Sequence, residues 1–314
     1  MNLLPLPLSH AELERYRIRA RQQRRPGMTG GHQMRRKGQS LEFRDYRDYI
    51  PGDDVRHIDW RASLRRGFSD KKLIREFVAE ENMTLVISVD LRESMWLPLT
   101  TSKLQIALWL AEAISVIALE NDDSVVLHPL FGPGPCQQLR GKSGVSRIRK
   151  ALTTLAGASP SQPRQNLNAL NRLLPPTAVW LIISDFYFPN DDKAASLSKT
   201  IYSAQQGFRW VMSVDLDSWP AERELLGHGA RRIEGPGVSG SSRPEAEIDD
   251  ANLERVAEDI MAHKNHFRER CGRTAHDLLH WPWPTSSDIE GGDFFRSHFE
   301  QDAFLARLFM RSTL

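Results

Sequence analysis

The sequence predicts an α/β protein built on an open, mostly parallel, doubly wound sheet, with an N-terminal signature segment and a C-terminal helical extension. Three observations lead there. Short apolar runs rich in β-branched residues recur at 84–89, 178–184 and 208–214, each followed by an acid. Between them lie segments of about ten or more residues with apolar positions at helical spacing, the alternation that yields parallel strands. Finally, 314 residues, 40% of them hydrophobic, suffice to bury a substantial core.

Taken in order, 84–89 (TLVISV) reads as a buried strand ending at Asp90. Ser102 is placed to cap a helix in which Leu104, Ala107, Leu108, Ala111, Ile114, Ser115 and Ala118 share one face, and Asn121-Asp122-Asp123 ends it. The run 124–131 (SVVLHPLF) is the next strand. Ser143 opens a helix expected to reach Leu155, and 166–174 forms a shorter one. After the strand at 178–184 (AVWLIIS) come a helix over 194–205 and a strand over 208–214 (FRWVMSV). The stretch 235–244, rich in Gly and Ser, reads as a linker or exposed loop. Asp249 or Asp250 then caps a helix to about Arg270, with Leu253, Val256, Ala257, Ile260 and His263 on one face. Beyond it Trp281, Trp283, Phe294, Phe295, Phe299, Phe304 and Phe309 make an aromatic tail. It either packs back on the domain, which is the expectation, or docks on a partner.

Composition narrows the classes. Two cysteines, Cys136 and Cys271, argue against a disulfide scaffold and a four-cysteine zinc site. No apolar run approaches the ~18 residues of a membrane span, and the opening MNLLPLPL lacks a basic lead and is broken by Pro5 and Pro7. The expectation is a cytoplasmic protein with no signal peptide. Residues 1–80 hold 18 Lys and Arg against 11 Asp and Glu, which leaves −5 for the rest. The basic run 15–36 reads as a solvated amphipathic helix, with Leu13, Tyr16 and Ala20 at helical spacing, or as a nucleic-acid patch.

Residues 43–60, FRDYRDYIPGDDVRHIDW, alternate acids, bases and aromatics around a Pro51-Gly52-Asp53-Asp54 turn. Pro51 presets φ, Gly52 tolerates positive φ, and the two acids can bond their own backbone. The polar groups exceed what a turn needs. Either this is a docking element or it is a solvated hairpin held by cross-strand ion pairs.

The pattern formed by Arg47, Tyr49, Pro51, Gly52, Asp53, Asp54, Arg56, Ile58, Asp59 and Trp60 closely resembles the signature of a bacterial family, domain of unknown function fifty-eight. Lys37, Gly38, Glu42 and Phe43 resemble that family's lead-in, and the likeness runs from about Arg35 to about Val214. The resemblance implies a von Willebrand factor A-like domain and company with a MoxR-type AAA+ ATPase. It further implies a metal-ion-dependent adhesion site at the strand ends: D-x-S-x-S, a later Thr, and a later Asp. Here Asp90 and Ser94 hold the outer places of the first motif and Asp185 fits the late acid, but Arg92 replaces the middle Ser and Gln165 stands for the Thr. Mg²⁺ or Mn²⁺, which Asp90, Ser94 and Asp185 would hold, is therefore disfavoured, and no cofactor is expected. A guanidinium between Asp90 and Asp185 would take over the cation's electrostatic part. Alternatively Arg92 points to solvent and Glu93 supplies a ligand. Without the resemblance, Asp90, Asp185 and Asp215 could be strand-ending turn acids or helix caps.

Other motifs carry less. Gly141-Lys142-Ser143 lacks the earlier glycine of a P-loop, since Cys136 stands there. His57-x-Asp59 has no converging ligands, Gly237-Val238-Ser239-Gly240 misses a nucleophile elbow by one residue, and His263, His266 and His276 form no compact set.

The organisation expected is a basic segment with the signature turn over 1–80, a von Willebrand A-like domain over 81–217, and a linker with a helical, aromatic extension over 218–314. The function expected is a non-catalytic adaptor for a MoxR-type ATPase and a protein client. Its binding crevice would be Asp90, Arg92, Ser94, Gln165 and Asp185, and its signature surface Arg47, Tyr49, Asp53, Asp54, Arg56, Asp59 and Trp60. The alternatives are a metal-dependent hydrolase and a nucleic-acid binder using residues 15–37.

Overall fold

Apolar, β-branched runs can be buried on both faces at once, and such runs make the centre of the main sheet. The computed structural model describes residues 3–18, 41–52, 55–65, 72–79, 83–97, 102–131, 135–157, 167, 170–175, 178–187, 192–206, 210–227, 231–234, 245–271, 276–283, 291–301 and 309–311. In chain order the first elements are α1 (His10–Leu13), β1 (Tyr16–Ile18), β2 (Leu41–Asp48), α2 (Trp60–Arg65), β3 (Leu73–Ala79) and β4 (Thr84–Val89). Then come α3 (Lys103–Glu120), β5 (Ser124–Pro129), β6 (Gln137–Arg140), α4 (Gly141–Val145), α5 (Ile148–Gly157), α6 (Leu170–Leu173) and β7 (Val179–Ser184). The rest are α7 (Asp192–Gln206), β8 (Trp210–Leu216), α8 (Trp219–Leu226), β9 (Arg231–Glu234), β10 (Glu245–Ile248), α9 (Asp250–Cys271), β11 (His276–Trp281), α10 (Gly291–Gln301) and β12 (Phe309–Arg311).

The main sheet has six strands in the order β11-β8-β7-β4-β5-β6. All pairs are parallel except β5 with β6, so only that edge runs against the rest. Alternate residues of β4 feed two cores: Leu85, Ile87 and Val89 pack with α3 and α5, whereas Val86 packs with Trp180 and Ile182 of β7 and with Leu197 and Ile201 of α7. The expected α/β class and its mostly parallel sheet are therefore present.

The chain divides into two compact units, Met1–Arg24 with Met83–Leu314, and Arg25–Asn82. The second contains the antiparallel pair β2 and β3, whose register shifts between Phe43 and Asp45. Among the described residues no helix is long and apolar enough to cross a membrane.

Several elements differ from the sequence reading. Every residue of α3 from Lys103 to Leu119 is buried, not one face alone, because the helix is enclosed by the sheet, α5 and the terminal segments. The helix expected from Ser143 to Leu155 is broken into α4 and α5, with the Arg147 amide bonding back to the Gly144 carbonyl. Tyr16 lies in β1, paired with β12, rather than in a basic helix. Strand β8 runs on through Asp215, so that acid sits inside a strand, opposite Ser184 and His280. Strand β11 was not anticipated; its HDLLHW has too few apolar residues to announce a parallel strand. Of the aromatic tail, Trp281, Trp283, Phe295 and Phe299 are buried, as packing back requires.

Candidate functional site

The connection leaving β4 leads to β5 on one side of the sheet, and the one leaving β7 leads to β8 on the other. The carboxyl ends of adjacent β4 and β7 are thus a switch point, where loops diverge and a crevice forms. Asp90 and Asp185 are the first residues past these strands, 0% and 5% exposed. Phe186 follows in a left-handed conformation, φ 52°, with its ring buried 5.3 Å from that of Phe267. A non-glycine residue tolerates that region only where its surroundings hold it there. Here the turn returns the Tyr187 amide to Asp185 Oδ1 at 3.1 Å.

Two buried carboxylates are costly unless cations meet them. Arg92 lies between them. Its Nη2 donates to Asp90 Oδ2 at 2.7 Å and to Asp185 Oδ1 at 2.6 Å, its Nε donates to both Asp90 oxygens, and its Nη1 donates to the Tyr187 carbonyl at 2.8 Å. The guanidinium carbon also lies 5.0 Å from the centroid of Phe131. Lys103 supplies the second cation, its Nζ donating at 3.0 Å to Asp185 Oδ2 and at 3.0 Å to Glu222 Oε1. Glu222 also accepts from Ser218, and Asp90 accepts from the Ser184 hydroxyl at 2.7 Å.

These contacts set the charges. Burial alone would push the Asp185 carboxyl up, but the Arg92 guanidinium, the Lys103 ammonium and the Tyr187 amide outweigh it and hold it well below the usual carboxylate range. Burial likewise opposes the charged Arg92 and Lys103, and their acid partners more than offset it, so both are raised. Asp215 shows the other balance. Lys264 donates to it at 2.9 and 3.1 Å, yet one cation, with Asp217 nearby, does not overcome burial, and the acid is raised.

A divalent cation does not fit this crevice. Both strand-end carboxylates already hold nitrogen donors, and a metal would lie against two positive charges. Among the described residues no group of three or more His, Cys, Asp or Glu is placed to hold a metal. Ser94 lies on a 3₁₀ turn, Glu93–Trp96, with its Oγ buried and without a hydrogen-bond partner. That hydroxyl alone suits a metal. Asp90, Arg92, Lys103, Asp185 and Glu222 form a connected set of ion pairs, and Glu93, Trp96, Leu97 and Tyr187, close to them in sequence, are exposed.

The structure brings Asp90, Arg92 and Asp185 together; Gln165, Asp53 and Asp54 lie outside the described residues. Elsewhere on the signature segment Gly52 takes φ 109°, Arg56 and Trp60 are exposed, Arg47 and Tyr49 are half-buried, and Asp59 is buried rather than on the surface. Sequence reasoning missed Lys103, Glu222 and Lys264. Two of them left a signal. Lys103 opens a mostly apolar helix at the end where its dipole disfavours a cation, which implies an acid partner. Lys264 shares the buried stripe of α9 with Leu253, Ile260, Phe267 and Cys271. A Ser88–His128 pair at 2.9 Å also escaped notice; Trp180 Nε1 donates to the same hydroxyl, and all three are fully buried, so the pair braces the sheet.

A family model described as protein of unknown function DUF58 matches residues 45–250, about two thirds of the chain. The chain belongs to the DUF58 family. No curated protein matches it. The DUF58 match takes in the signature turn, Asp90, Arg92, Lys103, Asp185 and Glu222, and it stops at the start of α9. Lys264, the sixth strand β11 and the aromatic tail therefore lie outside the DUF58 match.

Proposed function

We propose that this chain is a non-catalytic docking protein with a von Willebrand A-like core, working with a MoxR-type AAA+ ATPase on a protein client. The ATPase would supply the energy, and the strand-end crevice would supply recognition. One observation carries the reading: the chain's own Arg92 bridges Asp90 and Asp185, Lys103 pairs with Asp185 as well, and Trp96, Leu97 and Tyr187, close by in sequence, are exposed. Aromatic side chains near a rigid, charge-satisfied floor suit a protein surface better than a small substrate.

The test is capture from native lysate, with AAA+ ATPases scored by mass spectrometry in the presence and absence of EDTA. Wild type should recover the ATPase in both conditions, and Trp96→Ser/Tyr187→Ser should lose it while melting at the wild-type temperature. Recovery that EDTA abolishes would overturn a metal-free crevice. So would calorimetric binding of Mn²⁺ that disappears in Asp90→Ala.

A further inference from the structure

The unit Arg25–Asn82 carries a second face that the crevice does not use. The end of the signature, from Arg56 to Trp60, parts into two sides. Ile58 and Asp59 turn inward, 8% and 7% exposed, with Ile58 bridged to Ile74 and the Asp59 amide bonded to the Leu73 carbonyl at 2.9 Å. The Asp59 carboxylate accepts from the Tyr46 hydroxyl and from the Ala62 amide, each at 3.0 Å. Ser63 completes the tie, its hydroxyl donating to the Asp59 carbonyl at 2.7 Å and accepting from the Leu73 amide at 2.8 Å. Asp59 and Ser63 thereby fasten α2 to β3 and fix which side of the helix faces out.

The outward side is apolar and basic. Trp60 and Leu64 are 56% and 77% exposed, one helical turn apart and hence on one face. Arg61, Arg65 and Lys72 are exposed with them, and the Lys72 Nζ lies 5.3 Å from the Trp60 ring centroid. A cation above the indole restrains the ring and leaves its edge and other face open. Among the described residues from Val55 to Lys72, none of the exposed ones is acidic.

We propose that this face docks an acidic protein segment bearing two apolar anchors. The anchors would cover Trp60 and Leu64, and the carboxylates would meet Arg61, Arg65 and Lys72. Trp and Arg are the side chains that most often dominate protein interfaces. Three exposed cations, with no exposed acid among the described residues of 55–72, favour a partner of opposite sign and steer its approach. A bilayer is the poorer match, because a six-residue helix presents two apolar side chains where surface-lying helices rely on a long apolar face. The face lies in a different unit from Asp90 and Asp185, so it stands whether or not the crevice docks anything.

The experiment is to pan a random-peptide library displayed on phage against the full chain and to measure the enriched peptides by fluorescence anisotropy. They should be net acidic with at least two large apolar residues. Their affinity should fall about tenfold or more in Trp60→Ser/Leu64→Ser and in Arg61→Glu/Arg65→Glu. It should fall with added salt and hold in Trp96→Ser/Tyr187→Ser, which alters only residues near the crevice. All replaced residues are exposed, so each variant should melt like the wild type. Three results would each overturn the proposal: no enrichment, enriched peptides that are neutral or basic, and affinity lost in the Trp96 variant rather than in the Trp60 variant. Retention of the chain on phosphatidylglycerol vesicles through Trp60, with no acidic peptide bound, would assign the face to a lipid surface instead.

Discussion

Arg92 joins two carboxylates whose charges would otherwise face each other beneath the protein surface, and the consequences of its loss follow from that geometry. Breaking a buried pair by removing one partner leaves an uncompensated charge. Arg92→Met should therefore lower stability by about 3–5 kcal/mol in chemical denaturation. Asp185 makes a second prediction, in pH. Its folded-state pKa is depressed, so its contribution is present above the unfolded value of ~3.9 and is lost as pH falls through the folded one. The stability gap between wild type and Asp185→Asn should thus be wide at neutral pH and should close steadily below about pH 4. A gap that persists unchanged into acid would show that the carboxylate's charge contributes nothing. Cys271 behaves as plain core: burial pushes its thiol up to about 12, and the charge of neighbouring Arg270 offsets only a part of that.

Helix α3 shows how an element's surroundings decide its pattern. Its apolar face was readable, but the same residues continue around the helix because three sides of the protein close over it. Polar Gln105, Glu112 and Ser115 are buried there too, and burial raises the Glu112 carboxyl although Arg149 approaches to 3.5 Å. Helix α2 is the opposite case, six residues with none buried, tied to its neighbours through Asp59 and Ser63. Asp59→Ala removes the bonds from Ala62 and Tyr46 and should destabilise the β2–β3 unit by about 1–2 kcal/mol. Hydrogen exchange would report it: amides of β2 and β3 should exchange faster while those of β4 and β7 keep their rates. Equal acceleration in both sheets would mean that Asp59 supports more than its own unit.

The ends of the chain belong to one unit and fold against each other. Arg296 of α10 donates to the Pro7 carbonyl and pairs with Glu12, Trp109 Nε1 donates to the Leu4 carbonyl, and β1 pairs with β12. Leu8, Leu13 and Tyr16 enter the same core as Trp281, Phe295 and Phe299. Removing residues 1–18 should therefore expose that aromatic cluster, lowering the melting temperature by several degrees and increasing binding of a hydrophobic dye. Full retention of the melting temperature would show that the N-terminal segment adds no stability.

The local chemistry of the chain was enough for the parallel core. A strand buried on both faces needs an unbroken apolar run, and TLVISV and VWLIIS are such runs; each ends where Asp90 and Asp185 begin the crevice. The arginine two residues past Asp90, in Asp90-Leu91-Arg92-Glu93-Ser94, was likewise visible in one short motif. The cation that completes the crevice was not. Lys103 and Arg92 reach Asp185 across 82 and 93 residues, and Lys264 reaches Asp215 across 49. Charge pairing of that range has no period along the chain. It arises only after the strands are ordered side by side and burial forces each carboxylate to find a partner. For the same reason β11 emerged only from its place beside β8, which turns an ordinary polar stretch into the sixth strand of the sheet.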